Sequence, residues 1–177
     1  MMKVIETERL YLREMNEDDY DALYAVLSDR ENMCHYVYPF EEKQVRRWLD
    51  WCMSCYREYG FGLWALCLKE NNEMIGDCGL SMQKIDGEML PEIGFHLRRD
   101  MHRKGYASEA AAAVREWAFE NRDFPALYSY CTSDNEASYK TAEAIGMHYL
   151  KEFNDEEDIP HRVSSINREE WRNKYGE

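Results

Sequence analysis

Two groups of residues in this chain have the types and spacing to do chemistry, and they are adjacent in sequence. Across residues 90–97, a strand-like run, Ile93, Phe95 and Leu97 face one way while Glu92, Gly94 and His96 face the other. A carboxylate, a gap and an imidazole on one face can pass protons near neutrality. A carboxylate set among apolar strands has a raised pKa, which suits a general base. Residues 98–109 follow directly, reading Arg-Arg-Asp-Met-His-Arg-Lys-Gly-Tyr-Ala-Ser-Glu. They join that run to an alanine-rich helical run over residues 106–120, so they deliver a helix N-terminus just past a strand end. Its unpaired N–H groups and positive dipole end suit a phosphate. Gly105 puts no side chain in the way of an oxyanion. Arg98, Arg99, Arg103 and Lys104 place four of the chain's 22 basic residues in seven positions. An ordinary βα turn with a solvated basic rim, and a Glu92 that merely pairs with a cation, remain open on these residues alone.

The rest of the chain reads as elements able to position these groups. Residues 4–15 predict a first strand. Asn16 with Asp19 three residues on predicts a helix start, and Tyr20, Leu23, Tyr24 and Leu27 give its buried face. A longer helix is expected over residues 41–59. Between them lies an aromatic loop, residues 33–40, with His35, Tyr36 and Tyr38, which could line an acceptor pocket or simply pack. Residues 61–68 are almost wholly apolar, as a strand buried on both faces would be. Residues 74–82 read as its antiparallel partner, and Asp86-Gly87 as a hairpin turn. Residues 125–132 predict a strand, and Ser133 with Glu136 resembles a capping box opening a helix that stops at Gly146. Residues 147–153 and 161–166 read as closing strands, and residues 168–175 as a short tail.

Composition narrows the function. At 177 residues the chain is expected to be one domain, residues 1–177, able to bury roughly 70% of its unfolded surface. The formal charge of −13 disfavours nucleic acid and anionic membrane as partners and allows a cationic one. The first residues hold no apolar leader segment and no run is long enough to span a bilayer, so a cytoplasmic protein with free thiols is expected. Cys52-Met-Ser-Cys55 has no second pair or histidine at zinc-site spacing and falls in a helical pattern, so it reads as core and no metal site is expected.

With these segments in order, nearly the whole chain resembles the GNAT acyltransferase superfamily, in its ribosomal-protein N-acetyltransferase-like (RimJ/RimL-type) branch. The resemblance rests on Glu6-Thr-Glu-Arg-Leu-Tyr-Leu-Arg13, on Pro91-Glu-Ile-Gly-Phe-His-Leu97 followed by Lys104-Gly-Tyr-Ala-Ser-Glu-Ala110, on Asn135-Glu-Ala-Ser138 through Ala144-Ile-Gly-Met147, and on Ile166-Asn-Arg-Glu-Glu-Trp171. It implies an α/β fold with a mixed, mostly antiparallel sheet of six to seven strands flanked by about four helices. It implies acetyl-CoA as cosubstrate. The turn signature maps onto His102, Gly105 and Ala107, with His102 departing from its first position.

By the same resemblance, Arg103, Lys104, Gly105, Tyr106, Ala107 and Ser108 would cradle the pyrophosphate. Backbone at Phe95, His96 and Leu97 would pair with pantetheine, where that strand splays from the strand at residues 125–132. Asn135 would touch the cofactor arm, or serve as a helix cap, or both. Glu92 is the expected base, with His96 a weaker alternative. The tyrosine that many members use as acid is replaced by Ala142, which leaves Ser138 as the candidate. The expected reaction is direct acetyl transfer to a cationic primary amine such as a protein N-terminus, a polyamine or an aminoglycoside. A second copy of the chain is an allowed partner. The alternative is an acyl-CoA-binding sensor or scaffold without catalysis.

Overall fold

The computed structural model describes residues 2–176. Its single sheet has eight strands in the order β1-β2-β3-β4-β5-β6-β8-β7. These are β1 (Lys3–Glu6), β2 (Leu10–Arg13), β3 (Leu63–Leu68), β4 (Met74–Ile85), β5 (Glu88–Leu97), β6 (Ala126–Thr132), β7 (His148–Asn154) and β8 (Pro160–Asn167). The helices are α1 (Tyr20–Leu27), α2 (Glu42–Tyr59), α3 (Tyr106–Asn121), α4 (Glu136–Ala144) and α5 (Arg168–Tyr175). Neighbouring strands are antiparallel everywhere except between β5 and β6. A parallel pair cannot be joined by a tight turn, and α3 is the crossover that links this one.

The two faces of β3 show how the layers divide. Leu63, Ala65 and Cys67 pack with Leu23, Leu27, Leu49 and Cys52 of α1 and α2. Trp64, Leu66 and Leu68 join Ala110, Val114 and Ala118 of α3. Ile93 and Leu97 of β5 belong to the α3 side. By strand alternation Glu92, Gly94 and His96 therefore face the α1–α2 side. Their register partners on β4 are Ser81, Gly79 and Asp77. Opposed residues in an antiparallel pair share a face. The result is two polar pairs, Ser81/Glu92 and Asp77/His96, separated by a bare glycine pair.

Several expectations need correction. The stretch 4–15 is two strands, because the Thr7 hydroxyl accepts from Leu10 N (3.1 Å) and Thr7 N donates to Leu10 O (2.9 Å), which breaks the first run into a hairpin. The helix after β6 is capped by Asn135, not Ser133, since the Asn135 side chain accepts from Ser138 N at 3.1 Å. The tail is helix α5, closed by a capping box between Asn167 and Glu170. These account for eight strands and five helices where six to seven and four were expected. Other local readings hold. Asn16 and Asp19 form a capping box, Asp86 and Gly87 both take positive φ, and Gly146 ends α4 at φ +88°. Cys52 and Cys55 are buried on α2. Among the described residues no helix is long and apolar enough to cross a membrane.

Gly79 shows what the bare trough costs to change. A Cβ there would sit 2.1 Å from Gly62 O, a backbone atom that cannot rotate away. Gly79→Ala should force β3 and β4 apart and destabilise by about 2–3 kcal/mol. Calorimetry should show Tm lowered by roughly 5–10 °C; an unchanged Tm would mean the trough is looser than its geometry.

Candidate active site

The turn after β5 is built from unusual backbone. Arg103 lies at φ +59° and Gly105, the N-cap of α3, at φ +81°. The first α3 amide to find an acceptor within the turn is Glu109 N, bonded to Gly105 O at 3.0 Å. The amides of Tyr106, Ala107 and Ser108 precede it and have no acceptor behind them in the helix. Beside them, Arg103 and Lys104 are exposed and have no carboxylate partner among the described residues. Arg98 is already paired with Glu73 and Asp100, and Arg99 with Glu31. Of the four cations that cluster in sequence, two are thus free for an anion. Three donor amides, a glycine at the approach and two unpaired cations fit a pyrophosphate.

This turn is clamped from the far edge of the sheet by residues that the motif alone did not reveal. Arg9 donates to Glu109 through Nε (2.7 Å) and its own amide (2.9 Å), and to Lys104 O at 2.9 Å. Thr7 Oγ1 adds a bond to Glu109 at 2.6 Å, and the Arg9 guanidinium lies 4.5 Å from the centre of the Tyr106 ring. Burial works against the Glu109 charge, but the bonds from Thr7 and Arg9 hold its pKa below the usual carboxylate value. From the strand side, the His102 ring nitrogen Nε2 bonds Leu97 O at 3.0 Å.

β5 and β6 share one register pair, Glu92↔Tyr128, and no other. Counting from the two-residue turn at Asp86-Gly87, the amides of Glu92, Gly94 and His96 face β4. Arg98 N confirms the count by bonding Ile75 O. Phe95 and Leu97 therefore turn their amides into the seam that opens beyond the single pair. His96 does not. Its amide is spent on Asp77 Oδ1 at 3.0 Å, which corrects the expectation that its backbone would serve the cosubstrate. The Leu97 carbonyl is likewise taken by His102, leaving its N–H.

Glu92 stands at the head of this seam. Its Oε2 accepts from Ser81 Oγ at 3.2 Å, and Gln83 Nε2 donates to the same hydroxyl at 3.2 Å. A Cβ on Gly94 would lie 3.2 Å from Glu92 Oε2, so the carboxylate leans over the bare glycine toward His96. Burial pushes its pKa up to about 7; Asp77 adds to the rise, while His96 and the Ser81 bond oppose it. On the neighbouring strand β6, burial pushes Tyr130 up to about 12, helped by the charge of Glu92.

Behind Glu92 lies a network that sequence reasoning found only in part. Asp77, with no solvent exposure, accepts from His96 Nδ1 (2.8 Å) and Trp48 Nε1 (3.3 Å) as well as from the His96 amide. The Tyr36 hydroxyl sits 2.7 Å from His96 Nε2. Asp77 had a signal in sequence: it is the one charge inside the apolar run Met74-Ile-Gly-Asp-Cys-Gly-Leu80. On the far side of the seam, Asn135 caps α4 through its side chain, and its backbone carbonyl accepts at 3.7 Å from the Cys131 thiol, whose pKa burial raises. Ala142, at the position of the missing tyrosine, is core.

Taken together, an open parallel seam ending at a phosphate-type turn, with a near-neutral carboxylate at its head, defines an acyltransferase that takes a nucleotide-tailed thioester. The sequence profile of the Acetyltransferase (GNAT) domain matches residues 9–148, and the chain belongs to that family. It is 35% identical over 146 residues to YkkB of Bacillus subtilis, covering 82% of this chain and 85% of that one, and other relatives carry the name N-acetyltransferase. A GNAT-family acetyltransferase from Bacillus anthracis superposes with TM-score 0.80 at 26% identity, covering 95% of this chain and 99% of that one. RimL, a ribosomal L7/L12 α-N-protein acetyltransferase in complex with coenzyme A, shares the fold at TM-score 0.78 and 16% identity, over 96% and 99% of the two chains. GNAT acetyltransferases use acetyl-CoA.

Gly105→Val should strain a backbone at φ +81° and press against the Arg9 guanidinium, whose Nη2 would be 3.3 Å from the new Cβ. The KM for acetyl-CoA should rise by roughly tenfold or more, with a smaller change in kcat. An unchanged KM would remove this turn from the cosubstrate site.

Proposed function

We propose that this chain is an N-acetyltransferase of the ribosomal-protein-acetyltransferase type, moving the acetyl group of acetyl-CoA to a cationic primary amine by direct attack in a ternary complex. A protein N-terminus, a polyamine and an aminoglycoside are the candidate acceptors. The observation that carries the reading is the Glu92 carboxylate, with its pKa near 7, at the head of the one seam in the sheet. Amides 106–108 with Arg103 and Lys104 hold the pyrophosphate, and the Phe95 and Leu97 amides in the seam direct pantetheine toward Glu92. Asn135 lies across the seam as an α4 cap, so its contact with the cofactor arm is by its remaining amide group. Ser81 fixes Oε2 and leaves Oε1 for the amine. An ammonium must lose a proton before it can attack, and Glu92 takes it.

A base must be ionised to act. Rate should therefore rise with pH through about 7, the Glu92 value, and Glu92→Gln should lower kcat on the order of 10²-fold and flatten that limb. The measurement is thiol release from acetyl-CoA with spermidine, an aminoglycoside and a serine-initiated tripeptide. Tight acetyl-CoA binding with no turnover on any amine would replace the enzyme with a sensor or scaffold. The same shift predicts a stability effect of opposite sense. The folded state binds the Glu92 proton more tightly than the unfolded chain, so stability falls as pH rises from about 4.5 through 7. Glu92→Gln should recover up to about 2 kcal/mol at pH 8 and little at pH 4, read by denaturant midpoints.

A further inference from the structure

We propose that Tyr36, held by His96 and Asp77, donates the proton that the departing thiolate of acetyl-CoA takes up; this rests on the acetyl-transfer reading above. A thioester transfer needs an acid as well as a base, and the tyrosine positions on α4 do not offer one. Ala142 is buried in the core and the Tyr139 ring is covered by the Arg162 guanidinium at 4.1 Å, which leaves the Ser138 hydroxyl as the alternative donor on that helix.

The opposite wall of the seam does offer one. Asp77 is a fully buried carboxylate whose donors are the His96 amide, His96 Nδ1 and Trp48 Nε1. A buried charge needs a compensating one, and the His96 ring is the only cationic group among these partners. With both ring nitrogens protonated, Nδ1–H donates to Asp77 and Nε2–H donates to Tyr36. The Tyr36 oxygen then accepts at 2.7 Å, and its own proton must point elsewhere. Trp48 packs edge-on to the His96 ring with centroids 5.6 Å apart, which fixes the ring plane. His96 lies between Phe95 and Leu97, whose amides face the seam, so the relay stands at the depth of the thioester arm. The loop that carries Tyr36 is tied down across the seam by His35 Nδ1 and Asp134, 3.3 Å apart, and at its end by Phe40 N to Leu27 O.

The step balances. The C–S bond breaks with its electron pair on sulfur. Sulfur takes the Tyr36 proton, the Tyr36 oxygen takes the Nε2 proton, and His96 is left neutral with Nδ1–H still on Asp77. The ammonium gives up two protons in all. The first goes to Glu92 before attack, and the second passes from the nitrogen of the tetrahedral adduct to solvent water. Solvent then takes the Glu92 proton and reprotonates His96. The charged or titratable groups facing His96 are Asp77 from β4, Tyr36 from the α1–α2 loop, Glu92 along its own strand and Tyr130 from β6. The Cys52 thiol on α2 is pushed far up by burial and stays neutral. Burial lowers the His96 pKa, and its contacts with Tyr36 and Asp77 raise it above the usual value. With Tyr36 protonated, as the relay requires, the Asp77 carboxylate bonded to Nδ1 at 2.8 Å is the group that holds the ring charged.

The test is Tyr36→Phe, which removes the hydroxyl of an exposed residue and leaves the ring, assayed with acetyl-CoA and the amine panel above. The expected result is kcat lowered on the order of 10²-fold, KM for acetyl-CoA within about twofold, and loss of the basic limb on which wild-type kcat falls as His96 deprotonates. Nitrogen-15 NMR of the His96 ring in the free protein, which needs no turnover, should show both nitrogens protonated at pH 7.5. Unchanged kcat and pH profile in Tyr36→Phe, a raised amine KM alone, or a neutral His96 at pH 7.5 would each overturn the relay while leaving acetyl transfer in place. A wild type that turns over no amine would overturn both.

Discussion

A parallel strand pair inside an otherwise antiparallel sheet is the constraint on which this molecule turns. β5 and β6 meet at Glu92 and Tyr128 and then part. On the other side of that pair stands Pro91, whose ring nitrogen faces β6 and has no hydrogen to donate. Backbone groups in mid-sheet that find no strand must be satisfied by something else. An extended thioester arm with amide groups of its own meets that need, because it can enter the seam as a short strand. The crossover that parallel pairing demands, α3, puts a helix N-terminus at the end of the same seam, and β6 leads into the start of α4. The cosubstrate geometry proposed above thus rests on topology before any side chain is considered.

Side chains then make the seam reactive, at a cost in stability. The α1–α2 face of β4 and β5 carries Asp77, His96, Glu92 and Ser81 where its neighbour β3 carries Leu63, Ala65 and Cys67. Apolar residues there would bury more surface and leave no charge to compensate. The chain keeps the charges and separates them by Gly79 and Gly94, so Glu92 can lean into the space without meeting a side chain. The core on the α3 side, from Leu10 and Trp64 to Val114 and Trp171, supplies the stabilisation that this face forgoes.

What the sequence showed and hid follows from the range of each interaction. Glu92, Gly94 and His96 declare themselves by alternation, and Gly105 by its place between a strand and a helix; both are local patterns. Tyr36 and Asp77 meet His96 across 60 and 19 residues of chain, and Arg9 reaches Glu109 across 100, so no spacing rule connects them. Asn135 as a helix cap was one of two readings the sequence allowed, beside a Ser133–Glu136 capping box, and the structure takes the first. Strand count failed for a similar reason. The break at Thr7 is made by the hydroxyl and the amide of one residue, and apolar periodicity on both sides of it reads as one run. The role of His96 changed most: its backbone was expected in the seam, and a one-residue alternation set by the Asp86-Gly87 turn sends that amide to Asp77 instead.

Charge sorts the two substrates by the same geometry. The chain carries −13 overall, yet its turn at Arg103 and Lys104 presents two cations free of carboxylate partners among the described residues. In the proposed site a polyanionic cosubstrate is repelled by the whole and held by the part, so its binding depends on the short-range donors of the turn. For the proposed cationic amine the reverse holds: an attractive field at long range, and at short range the carboxylate proposed to take its proton. Screening reaches about 8 Å at physiological salt, so added salt weakens the long-range attraction before it reaches Glu92 inside the seam. The acceptor's encounter rate and its proton transfer are therefore separable: the surface sets the first, and two facing residue pairs on β4 and β5 set the second.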